Sequence, residues 1–518
     1  MVRLFKRAHS GPQSSATEKS ESDSLPDFSD GATLMVEEKR LLRKIDRTLL
    51  PYLAFLYLLS NLDRSNIANA KVAGLGEDLG LVGLEYQWSL SIFFLGYVLF
   101  EVPSNIALRR FSPSKWLSFI MVVWGLCSFG MAFSQNFAGL LSTRLLLGCF
   151  EAGLYPGAIY HISFWYKRNE LAWRMSLFFG AAALSSAFGG LLAYGLLRIN
   201  AGGLAGWRWM MIIEGGLTVL VGACTYFVLP DFPETATFLT ERERALVKHR
   251  IQMDTKALPM QAENVSGYIR EAFCEVRTYL FALVYSSAFI PLVSQALFQP
   301  SIIHSFGFDE FQTQLLLIPP SVFGFLLTLL NAFHSDRQHE RCFHLVACML
   351  ISMLGYILLA AVRSTGVQYF ATFLAYGGLL ASWPVLSGWC SSCFVPYTKR
   401  GVAIAFMVSV GNAFGVGAPQ VYQPDDKTFV RGHWICVGLL GLAIVLVLGL
   451  RAHLAYLNRA RAKKQSVSPA NATPKAKEKY VGGEGQREEE EVVEAEREGD
   501  GQEMEAASDR DIGFRFIL

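Results

Sequence analysis

The chain is poor in charge for its length. Only 17% of its 518 residues are Asp, Glu, Lys or Arg, whereas 52% are hydrophobic. Soluble globular proteins carry about 25% charged residues, which cover the surface that faces water. The shortage of charge therefore excludes a water-soluble protein of this size and implies that many apolar side chains face lipid.

The sequence also lacks the patterns of several other protein classes. Its nine cysteines are an odd number without the regular spacing of a secreted disulfide framework, so we expect free thiols. Cys390 and Cys393 have C-x-x-C spacing, yet no second pair of ligands completes a zinc site. We find no nucleophile with a base, no nucleotide-binding loop and no metal-ligand cluster, so neither an enzyme nor a cofactor is expected.

What the sequence has instead is a series of apolar segments of about twenty residues, each long enough to cross a bilayer. The N-terminal segment is polar and lacks the apolar core of a signal peptide, so the first span is expected to act as the insertion signal. The fold class is therefore predicted to be an all-α polytopic membrane protein of about twelve transmembrane helices. The predicted spans are 49–72, 88–106, 116–133, 138–164, 175–197, 209–229, 279–302, 314–333, 343–362, 369–390, 402–421 and 433–453.

The distribution of charge divides the chain into five parts. Two tails are too polar to fold and are predicted to be disordered, and the second of them is acidic. A charged cytoplasmic linker separates two bundles of six helices, and a capping box at Thr240 and Glu243 predicts a helix within that linker. The predicted boundaries are a tail at 1–45, a bundle at 46–230, the linker at 231–278, a bundle at 279–455 and a tail at 456–518.

Basic residues in the short loops give the orientation, because Lys and Arg favour the cytoplasmic side of a membrane. One set of loops carries Arg109, Arg110, Lys115, Lys167, Arg168, Arg174, Arg337, Arg341, Lys399 and Arg400. The other set carries fewer, namely Lys71, Arg198, Arg208, Arg363, Lys427 and Arg431. We therefore expect both termini and the linker in the cytoplasm. The plasma membrane is the expected location, with an organelle membrane as the alternative.

Four ionisable residues lie inside the apolar segments. Asp63 and Arg64 fall in the first span, and Arg144 and Glu151 fall in the fourth. Each such residue costs roughly 2.5–3.5 kcal/mol near the centre of a bilayer. Four of them facing lipid would cost roughly 10–14 kcal/mol, which is comparable to the whole stability of a protein. They are expected to face protein or a water-filled cavity.

The spacing of these residues indicates how they are used. Arg144 and Glu151 are seven residues apart, so on a helix they lie within about 20° of each other and about 10 Å apart along the axis. Gly148 and Tyr155 fall on the same stripe, which leaves a gap for a small anion between the charges. The functional interpretation is that both arginines bind a carboxylate while Asp63 and Glu151 carry the coupled proton. The alternative is a pair of structural ion pairs that only hold helices together.

Other polar residues in the spans carry less information. Glu101 and Glu214 lie near span ends, where a structural partner such as a loop arginine is expected. Asn412 lies in mid-span, where an amide either binds substrate or bridges helices. Gln295 and Gln299 share one face of the seventh span and are candidates for the opposite wall of a cavity.

Several segments, taken in order, match a known family between residues 40 and 455. They are Leu62-Asp63-Arg64-Ser65-Asn66-Ile67, Arg144 to Gly153 with Tyr155-Pro156-Gly157, Gly206-Trp207-Arg208-Trp209, Leu229-Pro230-Asp231-Phe232-Pro233-Glu234-Thr235, and Ser335-Asp336-Arg337 with Arg341. With these segments the chain resembles the major facilitator superfamily. Within that superfamily it is similar to the fungal anion:cation symporters of the allantoate permease type.

The resemblance implies two six-helix bundles around a central cavity and alternating access. It implies proton-coupled uptake of a small carboxylate such as allantoate, nicotinate or pantothenate, driven by the proton gradient without a cofactor. The expected partners are this carboxylate, protons and the lipid bilayer, with no nucleic acid, and the protein is expected to be a monomer.

Residue by residue, the resemblance places Arg64 and Arg144 at the substrate, and Asp63 and Glu151 in proton coupling. Tyr155, on the stripe of Arg144 and Glu151, and Asn412, in mid-span, are the further candidates for substrate binding. Asp336, Arg337 and Arg341 match the superfamily's conformational loop motif. Where the family often has two asparagines this chain has Ser392 and Cys393, which leaves the substrate open. Two alternatives remain, an exporter of an organic acid or secondary metabolite, and a membrane nutrient sensor that binds substrate and signals through its tails.

Overall fold

The computed structural model describes the central part of the chain, and the predicted tails at 1–30 and 468–518 lie outside the described residues. The described residues are 31–467 without 163, 168–169, 171–173, 175–177, 179–184, 186, 200, 257–264, 339, 396 and 427. Helices and short 3-10 turns make up their regular structure, and no β-strand occurs among them.

The N-terminal half contains nine described helices. These are α1 (Gly31–Thr48), α2 (Leu50–Val72), α3 (Leu75–Asp78), α4 (Glu85–Arg110), α5 (Pro113–Met131), α6 (Phe137–Glu151), α7 (Leu154–Ile162), α8 (Ala187–Leu196) and α9 (Gly206–Val228). The helices α6 and α7 form a single apolar crossing, Phe137–Ile162, which is interrupted after Glu151. The last residue of α6 is therefore Glu151, one of the charged residues of the predicted site.

The linker and the C-terminal half contain nine more. These are α10 (Glu241–Lys256), α11 (Val265–Cys274), α12 (Val276–His304), α13 (Glu310–Leu316), α14 (Ile318–Gln338), α15 (Cys342–Ala361), α16 (Thr365–Ser392), α17 (Tyr397–Gly415) and α18 (Val430–Val467). The capping box forms as predicted, since Thr240 N donates to Glu243 Oε2 at 2.8 Å and Glu243 N donates to Thr240 Oγ1 at 3.3 Å.

Nine segments among the described residues are helices long and apolar enough to cross a membrane. Three further crossings are supplied by α2, α8 and α17. The helix α2 carries the charges of Asp63, Arg64 and Lys71, which lower its hydropathy, and α8 is a shorter apolar helix. The chain is therefore an all-α polytopic membrane protein with the predicted number of about twelve transmembrane helices.

The two tails are shorter than predicted. Residues 31–45 belong to α1, although the tail at 1–45 was expected to be disordered. Leu41 and Ile45 lie one turn apart on α1 and are both buried, so this amphipathic helix packs on the rest of the protein. The helix α18 continues to Val467, so residues 456–467 of the predicted acidic tail are also helical.

The helices inside each half approach one another closely. A Cβ atom on Gly215 of α9 would lie 2.5 Å from Phe129 N of α5. In the other half, a Cβ atom on Gly378 of α16 would lie 2.5 Å from Cys348 O of α15. Glycine is needed at both positions because any side chain would meet backbone. Such small residues at helix crossings are the usual means of packing membrane helices.

The two halves contact each other at the ends of α4 and α17 that lie away from the chain termini. Ser91 Oγ donates to Val416 O at 2.8 Å, and Gln420 Nε2 donates to Ser91 Oγ at 3.1 Å. Gln87 Nε2 donates to Tyr422 O at 3.0 Å. These hydrogen bonds join the two halves.

Candidate functional site

Glu151 is the centre of a buried polar group between α2 and α6. Its Oε1 atom accepts hydrogen bonds from Ser60 Oγ at 2.7 Å, Arg64 Nη2 at 2.7 Å and Arg64 Nε at 3.2 Å. Ser60 and Arg64 are one helical turn apart on α2, so both side chains reach the same carboxylate. The Arg64 side chain is 29% exposed, whereas that of Glu151 is 0% exposed. The pair is therefore accessible to solvent from the arginine side only.

Arg144 is buried, and no residue that the structure describes forms an ion pair with it. The residue is 1% exposed, and neither Nε nor Nη1 has a hydrogen-bond partner among the described residues. Its guanidinium carbon lies 5.7 Å from the centre of the Phe93 ring, and that of Arg64 lies 5.1 Å from the same ring. An unpaired charge in a low-dielectric interior is costly. The two arginines thus flank one aromatic ring, and one of them is ready to bind an anion.

Glu151 also retains an unused oxygen. Its Oε2 atom is buried and has no partner among the described residues. A carboxylate oxygen in this state either accepts a hydrogen bond from a ligand or takes up a proton. The group can therefore bind an anion through its arginines and a proton through its carboxylate.

Asp63 faces away from this group. Its Oδ2 atom accepts hydrogen bonds from Trp124 Nε1 at 3.0 Å and Thr218 Oγ1 at 2.9 Å, and Oδ1 accepts one from Ser128 Oγ at 3.4 Å. These donors belong to α5 and α9. Adjacent helical residues point about 100° apart, which is why Asp63 and Arg64 enter different environments. The structure does not pair Asp63 with Arg64.

Tyr155 and Asn412 occupy two further positions. Tyr155, in the first turn of α7, has its ring centre 6.1 Å from that of Tyr57 and 6.4 Å from that of Phe178. These three rings form an aromatic group, and Tyr155 follows Glu151 closely in sequence. Asn412, on α17, lies near Glu101 of α4.

The predicted loop motif forms a compact turn between α14 and α15. Arg341 Nη2 lies 2.5 Å from Asp336 Oδ1, and Ser335 Oγ donates to Glu340 O at 2.7 Å. Arg337 is exposed. The motif therefore contains one ion pair that holds the ends of the two helices together.

Glu214 has a structural partner, as expected, but that partner is not a loop arginine. Glu214 accepts a hydrogen bond from Asn66 Nδ2 at 2.6 Å, and the side chain near Glu101 is Asn412. Arg208, which the prediction counts among the loop arginines, lies in the first turn of α9 and donates to Asp78 at 2.9 Å. A signal for Asn66 did exist, because it is a polar residue three positions after Asp63 in a span.

Comparison with known proteins identifies the family. Residues 53–419 match the Major Facilitator Superfamily. The chain is 36% identical over 437 residues to MFS transporter prlL of Fungal sp., covering 81% of this chain and 87% of that protein. It is 32% identical over 396 residues to Major facilitator-type transporter hxnP of Emericella nidulans, covering 75% and 80% respectively. The chain is a membrane transporter, and it belongs to the Major Facilitator Superfamily.

Solved structures show the same fold. A bacterial homolog to the human lysosomal transporter Spinster, inward-facing and unoccupied, superimposes with a TM-score of 0.62 at 15% identity, covering 78% of this chain and 96% of that one. The xylose transporter XylE from E. coli, in a partially occluded inward open conformation, gives 0.60 at 13% identity, covering 77% and 97%. The prediction of a major facilitator fold is confirmed.

Proposed function

We propose that the chain is a proton-coupled symporter of the allantoate permease type, which takes up a small organic anion such as allantoate, nicotinate or pantothenate. The observation that carries the proposal is that Arg144, beside the Arg64 and Glu151 pair, has two nitrogens without a partner within the described part of the chain. A carboxylate matches the fork of a guanidinium group, and a bidentate pair of this kind is stronger than a neutral hydrogen bond.

In this proposal, anion binding and proton binding are coupled because both depend on Arg64. Arg64 donates hydrogen bonds to Glu151. A proton bound by Glu151 removes the negative charge and weakens this attraction, so Arg64 becomes available to the substrate carboxylate together with Arg144. Both guanidinium groups already lie over the Phe93 ring. Anion binding and proton binding therefore favour each other, as the linkage between two sites requires.

The transport cycle needs two states of the contact between Gln87, Ser91, Val416, Gln420 and Tyr422, which we call the outer gate. Breaking the hydrogen bonds of Ser91 and Gln87 to the α17–α18 connection opens the site on the side away from the termini. We place this side outside the cell, both termini in the cytoplasm and the protein in the plasma membrane. It acts as a monomer and draws on the proton gradient without a cofactor.

The proposal is tested with the purified full-length chain in liposomes. Radiolabelled nicotinate, pantothenate and allantoate are offered separately with an acidic exterior, with or without a protonophore. We expect at least one of them to accumulate, and the protonophore to abolish the accumulation. Uptake that is indifferent to the proton gradient contradicts symport, and accumulation that needs an acidic interior indicates proton exchange, as in an exporter.

The sensor alternative is tested in the same assay. A chain truncated after Lys464 loses the acidic tail but keeps the twelve crossings. A transporter keeps its flux after this truncation. A chain that binds the labelled anion but moves none of it, in either form, would be a sensor.

A further inference from the structure

A second buried acidic group lies between α2 and α9, apart from Arg64 and Glu151. Thr218 of α9 donates to Asp63 of α2 at 2.9 Å, and Asn66 of α2 donates to Glu214 of α9 at 2.6 Å. Asp63 and Asn66 are three residues apart, and Glu214 and Thr218 are four apart, so each pair lies on one face of its helix. Each helix thus contributes one acid and one neutral donor to a reciprocal pair.

The two acids have different hydrogen-bond partners. Both oxygens of Asp63 accept hydrogen bonds, and one donor is the indole of Trp124, which can only donate. This arrangement suits an ionised carboxylate. Glu214 accepts one hydrogen bond on Oε2, whereas its Oε1 atom has no partner among the described residues although the residue is only 5% exposed.

A second unpartnered oxygen adjoins the first. Oδ1 of Asn66, which is 0% exposed, also has no partner within the described part of the chain. Asn66 and Glu214 are already joined through Nδ2 and Oε2. Both unused atoms are acceptors, and a buried acceptor without a donor is costly. One added proton on Glu214 supplies the donor that this pair of side chains lacks.

The charged side chains around Glu214 do not supply the hydrogen-bond donor that a proton on Glu214 would supply. Along α9, Arg208 is bound to Asp78, and on α2, Arg64 is bound to Glu151. The donors that α5 brings to the group, Trp124 and Ser128, are neutral. The charges of Arg144 and Glu151 on α6 act electrostatically on Asp63. Among the described residues, no cation forms an ion pair with Glu214, and Asp63 is the acid that acts on it electrostatically.

We propose that Asp63 and Glu214 form one proton-binding site that holds a single proton on Glu214 at neutral pH, shared with the Asn66 amide. Two like charges in one buried site do not both ionise readily. The proton is taken from water and returned to water, and no covalent bond between heavy atoms changes. The site is separate from Glu151 and does not depend on which anion is carried.

Infrared spectroscopy of the full-length chain in lipid nanodiscs tests the proposal. A protonated carboxyl absorbs in its own C=O stretching region, and carbon-13 labelling of glutamate separates Glu from Asp. At neutral pH the wild-type protein should show a protonated Glu band, and no band of equal strength from Asp. Glu214→Gln should remove that band, and Asp63→Asn should keep it. Asn66→Leu should shift it, because the hydrogen-bonded partner is lost.

Glu101→Gln and Glu151→Gln serve as matched controls, since both replace other buried glutamates, and both should leave the Glu214 band in place. A wild-type spectrum without any protonated Glu at neutral pH overturns the proposal even if no variant folds. A band that persists at full strength in Glu214→Gln, or that disappears in a control variant alone, also overturns it. None of these measurements requires transport, so a failure here is distinct from a failure of the proposed symport.

Discussion

Arg64 on α2 holds Glu151 on α6 with hydrogen bonds of 2.7 and 3.2 Å. Arg144, which is on the same helix as Glu151, is not part of this ion pair, and two of its nitrogens have no partner among the described residues. The two arginines therefore differ in what binding an anion requires of them. Arg64 must give up its hydrogen bonds to Glu151 before it binds the carboxylate of an anion. Arg144 has no hydrogen bond to Glu151 to give up.

Replacing Arg144 should weaken anion binding and slow uptake at low anion concentration. Hydrogen bonds to a charged group contribute about 1.5–3 kcal/mol, so Arg144→Ala is expected to weaken anion binding about 10- to 100-fold. The anion affinity of Arg144→Lys should lie between those of the wild type and Arg144→Ala, because lysine keeps the charge but loses the planar fork. Initial uptake rates against anion concentration in liposomes measure the effect. Arg208→Ala is the control, because Arg208 pairs with Asp78 away from the site, and equal losses in both variants would contradict the assignment.

Replacing Glu151 by Gln should separate anion movement from the proton. The amide cannot take up a proton, and it no longer pairs with Arg64 as an anion. Accumulation driven by an acidic exterior is expected to disappear, while exchange of labelled for unlabelled anion across the membrane persists or is lost altogether. Both are measured in the same liposomes at several pH values. Normal, pH-responsive accumulation in Glu151→Gln and Arg144→Ala together would refute the proposed site.

The sequence allowed the charged residues of the site to be found, but not their partners. Asp63, Arg64, Arg144 and Glu151 stand out because each is a charge inside an apolar segment, and this is visible without a structure. Which arginine meets Glu151 depends on how α2 packs on α6. Helical spacing relates residues on one helix only, so it grouped Arg144 with Glu151 and missed the bond from Arg64.

The same limit applies to Asn66 and Glu214. Glu214 lies near a span end, where a loop arginine is a reasonable partner, and Arg208 is close in sequence. The structure instead engages Arg208 with Asp78 and brings Asn66 to Glu214. Hydropathy likewise located the spans but not α1, because a polar helix that packs by one stripe resembles a disordered tail in composition.

Gly148 should not tolerate alanine. A Cβ atom there would lie 2.1 Å from Phe93 O and 2.9 Å from Phe93 C, which are backbone atoms of α4. Overpacking of this kind costs about 1–3 kcal/mol or more. Because Phe93 lies beside both arginines, uptake should fall together with thermal stability. Gly216→Ala is the matched control, since nothing lies within 4 Å of its Cβ position, and it should leave the melting temperature unchanged or raise it.

The outer gate should open during transport. Ser91 and Gln420 lie in different halves and are joined by a hydrogen bond of 3.1 Å. In a background without the nine native cysteines, Ser91→Cys with Gln420→Cys should be joined by a short bis-methanethiosulfonate crosslinker, and uptake should stop until a reductant is added. Tyr52→Cys with Thr225→Cys is the control, because these residues are in contact within one half. Undiminished uptake by the crosslinked gate pair would contradict its opening.

The packing of α1 on the bundle should depend on Glu38. Lys167 Nζ lies 2.8 Å from Glu38 Oε1, and Arg250 donates both to Glu38 and, at 2.6 Å, to Glu170. Burial raises the pKa of Glu38, but the hydrogen bonds from Lys167 and Arg250 outweigh it and leave this pKa below its ordinary value of 4.5. A carboxyl whose pKa is lowered by folding stabilises the folded state above its unfolded pKa. The contribution is lost as the pH falls through the folded value.

The contact of α1 should therefore persist at every pH above about 4.5 and weaken below it. Glu38→Gln should loosen α1 at neutral pH by about 1–3 kcal/mol, because the Glu38 side chain is only 27% exposed and its donors lose a charged acceptor. Hydrogen exchange of residues 31–48, corrected for the intrinsic rate at each pH, measures the loosening. Arg242→Gln removes the pair with Glu37, whose arginine is 56% exposed, and should cost less than about 1 kcal/mol. Equal effects of the two variants, or release of α1 from the wild-type protein near neutral pH, would show that Glu38 does not hold α1 in place.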